Sequence, residues 1–155
     1  MYHKVVLIGR LGGDPEMRYT PSGTAVTNFS VATSTRISKE NTPECPDGWK
    51  EAYNGKAWEL TTWFRVTAWR GLAETTNAYL AKGRQVYIEG ELNGTTADGS
   101  RYPRVWTGQD GVPRASFEIT ARTVKFLGSS NGNSSDAPQQ DEPPPGHVEE
   151  NAIPF

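Results

Sequence analysis

Alternation with a period of two runs through much of this chain. It is clearest in "TTWFRVTAW", residues 61–69, where Phe64, Val66 and Ala68 take the even positions and Trp63, Arg65, Thr67 and Trp69 the odd ones. Successive side chains of a β-strand point to opposite faces. The even positions therefore form an apolar face that can pack, and the odd positions a face with two indoles flanking a guanidinium. A buried arginine requires a partner. The odd face thus reads as a flat surface turned away from the core rather than as a second buried layer.

The same reading gives four more strands and one helix. "HKVVLIGRLG" is a strand that is apolar on both sides, with Val5, Leu7 and Leu11 on one face and Val6 and Ile8 on the other. Something beyond its own core must cover the second face. "GDPEMRYTPSGT" turns twice, at Asp14-Pro15 and at Pro21-Ser22-Gly23. "TAVTNFSVATSTR" is a second strand, rich in β-branched residues. Residues 37–57 form a long polar loop holding Trp49 and Tyr53, which either close over a ligand or cover the barrel. Residues 58–70 are the third strand, with Trp58 at its start as a packing residue.

"GLAETTNAYLAKG" is a helix whose Leu72, Ala73, Thr76, Tyr79 and Leu80 share one stripe and whose Gly83 serves as the C-terminal cap. "RQVYIEGEL" is the fourth strand. The turn signals Asn93-Gly94 and Asp98-Gly99 interrupt it before it ends at Trp106, with Arg104 on the same face. After the Asp110-Gly111 turn, "RASFEITARTVKFL" is the last strand. Three strands, a short helix that plugs one end, then two strands: this order predicts an all-β fold, a five-stranded OB-fold Greek-key barrel with one short helix.

Charge changes the picture at the C-terminus. The net formal charge is −2, but residues 1–127 hold all 16 Lys and Arg against 13 acids, a net of +3. Residues 128–155 hold five acids and neither Lys nor Arg, a net of −5. A mildly basic domain followed by an acidic tail suggests a polyanion partner for the domain and a separate role for the tail. The tail is made of Ser, Asn, Gly, Pro, Gln and acids, too little apolar surface to order itself, so it is expected to be disordered. Cys45 is the only cysteine, which forbids an internal disulfide and fits a reducing compartment. The segment "MYHKVVLIGR" shows no signal-peptide pattern, and no apolar run reaches membrane-spanning length.

Reacting groups for catalysis are lacking. His3 and His147 lie at the two ends of the chain, neither placed to pair with Cys45, and no HExxH, CxxC, GxxxxGK[ST] or GxGxxG pattern occurs. Neither a metal nor a cofactor is expected. Binding is the better-supported chemistry, since single-strand binders combine a positive groove with aromatic side chains on which bases stack. Trp63 and Trp69 would stand about 20 Å apart on a straight strand at roughly 3.3 Å per residue, on different nucleotides, with Arg65 between them reaching phosphate.

The stretches "KVVLIGRLGGDPEMRYTPSGTAVTNFSVAT", "TTWFRVTAWRGLAETTNAYLAKGRQVYIEGEL" and the terminal "NAIPF" together resemble the bacterial single-stranded DNA-binding protein family. The resemblance covers residues 3–127 and resumes at the extreme C-terminus. It implies an OB-fold assembled into a homotetramer and wrapping single-stranded DNA without sequence preference, in a cytoplasmic, nucleoid-associated setting. Residues 1–127 would be the DNA-binding domain, 128–148 a disordered linker, and 149–155 a tip that recruits replication, recombination and repair proteins. By position, Trp63 and Trp69 match family stacking aromatics, and Trp106 matches a third if 93–102 is an insertion. The DNA-binding set is then Lys4, Trp63, Arg65, Thr67, Trp69, Arg70, Arg104 and Trp106, and the partner-binding set Glu149, Glu150, Asn151, Ala152, Ile153, Pro154 and Phe155. The tip departs from the family's run of aspartates before Ile-Pro-Phe. An RNA-binding OB domain and a protein-interaction scaffold stay open as alternatives. Stacking ignores the sugar unless a 2′-hydroxyl is read, and exposed aromatic patches also mark protein contacts.

Overall fold

The protein's structure, a computed structural model, describes residues 2–97 and 100–128. The tail assigned from sequence, apart from Gly128, lies outside the described residues. Ten strands and one helix follow in the order β1 (Val5–Leu11), β2 (Glu16–Tyr19), β3 (Ala25–Ser38), β4 (Lys50–Ala52), β5 (Ala57–Trp69), α1 (Gly71–Tyr79), β6 (Gln85–Asn93), β7 (Thr95–Ala97), β8 (Ser100–Tyr102), β9 (Arg104–Thr107) and β10 (Pro113–Leu127). Five of them close a barrel in the order β3-β1-β6-β10-β5, because β5 returns to pair with β3. Every contact around it is antiparallel except β5 with β10, which is parallel. This is the expected OB-fold barrel.

The barrel interior follows from the alternation. Phe29 and Val31 of β3, Val66 of β5, Val86 and Ile88 of β6 and Ile119 of β10 are all buried. Strong curvature needs places where strands approach more closely than a side chain allows. Gly9 and Gly90 supply them: a methyl group on Gly9 would stand 2.6 Å from Cγ1 of Val31, and one on Gly90 2.8 Å from Cγ2 of Ile119. A bulge at Arg122 shifts the β10 register between Ala121 and Thr123. An extra residue reverses the side-chain phase, so the inward positions change from Ile119 and Ala121 to Val124 and Phe126.

Helix α1 closes one barrel end, as its stripe predicts. Ala73, Thr76 and the following Leu80 are buried, and the Thr27 hydroxyl of β3 donates 2.7 Å to the Ala73 carbonyl. Two details differ from the sequence reading. Tyr79 is mostly exposed and leans on the Phe126 ring, 6.1 Å away. The cap is Leu80 in extended conformation, while Gly83, at φ 83°, serves the turn into β6. The helix ends about one turn earlier than expected because Leu80, whose amide still donates to the Thr76 carbonyl, leaves it in extended conformation.

The long loop is also more ordered in its pairing than its polarity suggests. The β3–β5 ladder continues to Ile37↔Trp58 and Ser38↔Ala57, and β4 pairs back on β5. Trp58 packs in this arm as expected: its Nε1 donates 2.8 Å to the Thr42 carbonyl and the Lys39 ammonium lies 3.9 Å over its ring. Trp49 is half-buried, and Tyr53 is exposed with the Arg36 guanidinium 5.6 Å over its ring. Among the described residues no helix is long and apolar enough to cross a membrane.

Candidate functional site

The outward face of β3 and β5 is set by register. Cross-strand partners share a face, and the ladder pairs Ala32 with Trp63, Ser30 with Arg65, Asn28 with Thr67, and Val26 with Trp69. Small and polar β3 residues therefore lie beside large β5 residues, which leaves the indoles raised above the sheet. Trp63 is 54% exposed and Trp69 43%, while Val66 and Ala68 between them are fully buried. The two faces are those the alternation predicts. The Thr67 hydroxyl donates 2.9 Å to the Asn28 side-chain oxygen, which pins the centre of this surface.

The second wall comes from the β9–β10 hairpin. Register pairs Arg104 with Ser116 and Trp106 with Arg114. Trp106 thus sits within a separate short strand antiparallel to the start of β10, rather than at the end of the fourth strand, because β7 and β8 pair with each other between β6 and β9. Between the two walls runs a groove of about 690 Å³ whose lining includes Trp63, Arg65, Arg104, Trp106, Asn28 and Ser30. Four of the sequence-expected residues, from β5 and β9, converge here.

The groove's charge is mixed but its cations are loosely held. Arg65 is exposed and has no ion-pair partner among the described residues. The Arg104 Nη1 is 3.9 Å from the Glu118 carboxylate, which also accepts a bond from the Ser116 hydroxyl. Glu118 is mostly covered, but the contact is long and the Arg104 side chain is half exposed, so Arg104 is available to another anion. Arg114 is engaged with Asp110 at 2.5 Å.

Trp69 lies beyond the groove lining, at the helix end of the same β5 face, and Arg70 follows it outside the strand. Arg70 takes φ 56°, a rare conformation for a residue with a side chain. It turns the chain from strand into helix while its amide donates 2.8 Å to the Ala25 carbonyl. Arg18 was missed by the sequence reading. It pairs with Val26, whose other neighbour is Trp69, so it shares Trp69's face. The only local signal was the alternation in "EMRY", masked by the flanking Asp-Pro and Pro-Ser-Gly turns.

Lys4 is not part of the groove. It lies on the outward side of β1 and β6, where its ammonium is 2.7 Å from Glu89. Val6 and Ile8 on this side are half exposed. The Tyr87 hydroxyl also donates to the Glu89 carboxylate. These two donors, Lys4 first, hold the Glu89 pKa below its usual 4.5. The same bonds raise Lys4 above 10.5 and Tyr87 above 10.0. A depressed carboxylate contributes stability that is present above pH 4.5 and lost as pH falls through the lowered value. The raised Tyr87 and Lys4 contribute stability present below about pH 10 and lost as pH rises through their raised values. Glu89→Gln is therefore expected to flatten the acid limb of the thermal midpoint against pH. An acid limb identical to that of the parent protein contradicts the assignment.

Among the described residues no group of three or more His, Cys, Asp or Glu side chains stands close enough to hold a metal ion. The groove's chemistry is that of flat apolar rings and flexible guanidinium groups. The expected tip, residues 149–155, lies outside the described residues. The model of the single-strand binding protein family matches residues 2–127. Two curated relatives, each named single-stranded DNA-binding protein, from Neisseria meningitidis serogroups A and B, are 42% identical over 139 residues, 90% of this chain and 67% of theirs.

Proposed function

The chain belongs to the single-strand binding protein family, and on that premise we propose that it binds single-stranded DNA without sequence preference. Bases stack on Trp63, Trp106 and Trp69, Arg65, Arg104 and Arg70 meet phosphates, and Thr67 steadies the floor. The observation that carries this reading is the groove in which Trp63 and Arg65 of one strand face Trp106 and Arg104 of another. Every base has a π-face, so rings select for unpaired bases without reading which base is present. Arg18, beside Trp69, adds a cation to the same track. Lys4 serves better as the Glu89 partner than as a phosphate contact.

Tryptophan fluorescence titrated with oligo(dT) tests the reading. Strong quenching is expected, with a weaker response to oligo(rU) at matched salt. The logarithm of affinity should fall with the logarithm of salt by about 0.7 per phosphate neutralised. Equal quenching by oligo(rU) overturns the reading in favour of RNA, and no quenching by either in favour of a protein scaffold.

The finer roles follow from the same reading. The protein acts in replication, recombination and repair by binding rather than by catalysis, in the bacterial cytoplasm. It assembles as a homotetramer, supported by the half-exposed Val6 and Ile8 that a lone barrel leaves uncovered. Its partner-docking tip places Glu149 and Glu150 before Asn151, Ala152 and an apolar Ile153-Pro154-Phe155 end. Pro154 biases Ile153 toward an extended shape, so Phe155 can enter an apolar pocket while the carboxylates meet cations. Deleting residues 153–155 should abolish capture of basic repair and replication proteins while leaving oligo(dT) affinity equal or slightly higher. Retained capture, or a marked loss of DNA affinity, rejects the tip's role.

A further inference from the structure

Two glycines follow β1, and they stand in different surroundings. Gly12 donates its amide 3.0 Å to the Ser30 carbonyl, so its backbone is held against β3. A methyl group added to Gly12 would stand 2.8 Å from Cη2 of Trp63, closer still to Cζ3, and 2.9 Å from the Ser30 Oγ. The same addition at Gly13 meets nothing within 4 Å. Neither residue has the positive φ that demands glycine. What distinguishes Gly12 is space, and that space is taken by the outer edge of the Trp63 indole.

We propose that Gly12 is a positioning residue for base stacking: its bare Cα is the seat on which the Trp63 ring lies. The inference rests on the reading of Trp63 as a stacking platform and names what holds that platform in place. A half-exposed indole free to rotate must be ordered each time a base arrives, and that ordering weakens binding. Resting on Gly12, beside Ser30 on the neighbouring strand, the ring is already placed along the groove. The atoms that a Gly12 side chain would meet are ends of side chains rather than backbone. The fold can therefore accept a methyl there by rotating the indole, and the penalty falls on binding. Gly9 differs, because a methyl there would press on the Ala32 carbonyl.

The test compares Gly12→Ala and Gly13→Ala in the full chain, each with Trp63 present and with Trp63→Ala. Thermal midpoint and oligo(dT) affinity are read for all. Gly12→Ala is expected to weaken affinity by about five- to tenfold, part of one stacking contact, with the midpoint close to that of the parent. Gly13 also lines the groove, but a methyl there meets no protein atom, so Gly13→Ala should leave the Trp63 ring in place and cost less than twofold in affinity. In the Trp63→Ala background, Gly12→Ala should have no further effect. A second pair covers the case in which Gly12→Ala does not fold: Gly12→Ala/Trp63→Phe should bind as Trp63→Phe alone does, because Phe lacks the outer ring edge. A loss from Gly12→Ala that persists at full size without Trp63 overturns the seat. So does an affinity loss in Trp63→Ala with none in Gly12→Ala, which leaves the platform reading intact. If Trp63→Ala itself changes nothing, the platform reading fails and the seat fails with it.

Discussion

Trp63→Ala is expected to weaken oligo(dT) binding by about 1–3 kcal/mol, or about five- to 150-fold, while the thermal midpoint hardly moves. The separation of the two effects follows from position. The indole is 54% exposed and stands over Ala32 and Gly12 on the outside of the barrel. Removing it opens no cavity inside. Trp106→Ala, on the opposite wall of the groove, should behave alike, and the double variant should lose close to the sum if the two rings hold different nucleotides. Arg65→Ala should instead lower the salt dependence, since a phosphate contact rather than a stack is removed. Unfolding of Trp63→Ala at temperatures where the parent is native would show that the ring is structural and contradict the assignment of faces.

The reverse pattern is expected for Ile119→Ala. Ile119 is fully buried, between Val66 of β5 in the parallel ladder and Leu92 of β6 in the antiparallel one. Deleting a buried aliphatic side chain removes transfer free energy and leaves a cavity, together about 2–5 kcal/mol. Closed barrels relax poorly around a hole because every wall strand is paired on both sides, which places this site in the upper half of that range. Against a typical total of about 5–15 kcal/mol the loss is large. Thermal or denaturant unfolding reads it directly. The fraction that remains folded should bind oligo(dT) with unchanged affinity, because Ile119 faces inward and is not part of the groove lining. A loss below about 1 kcal/mol would mean that the barrel is far less tightly packed than its burial indicates. Phe64→Ala should fall between the two cases: the ring is only partly buried, resting on Phe117 at a centroid distance of 5.6 Å.

The sequence alone determined whatever depends on neighbours along the chain. Trp63, Arg65 and Trp69 had to share a face once the segment was a strand, and Phe64, Val66 and Ala68 had to share the other, because the two-residue period is a property of extended backbone. The helix, the family-specific stretches and the shift from basic domain to acidic tail were legible for the same reason. Which faces meet was not. That Trp106 lies across a groove from Trp63 depends on β9 folding back on β10 through a local hairpin, and on β10 lying parallel to β5, a pairing that spans more than fifty residues. Arg18 joined Trp69 only through Val26, which has one of them on each side. Lys4, a plausible phosphate contact by charge, was turned to Glu89 by the β1–β6 register. The Arg122 bulge reversed the phase of β10, which a continuous alternation in the sequence would have carried on unchanged. Local periodicity says which side chains point together. Closing the barrel, through register, bulge and the close approaches that Gly9 and Gly90 permit, decides which of those faces become walls of one groove.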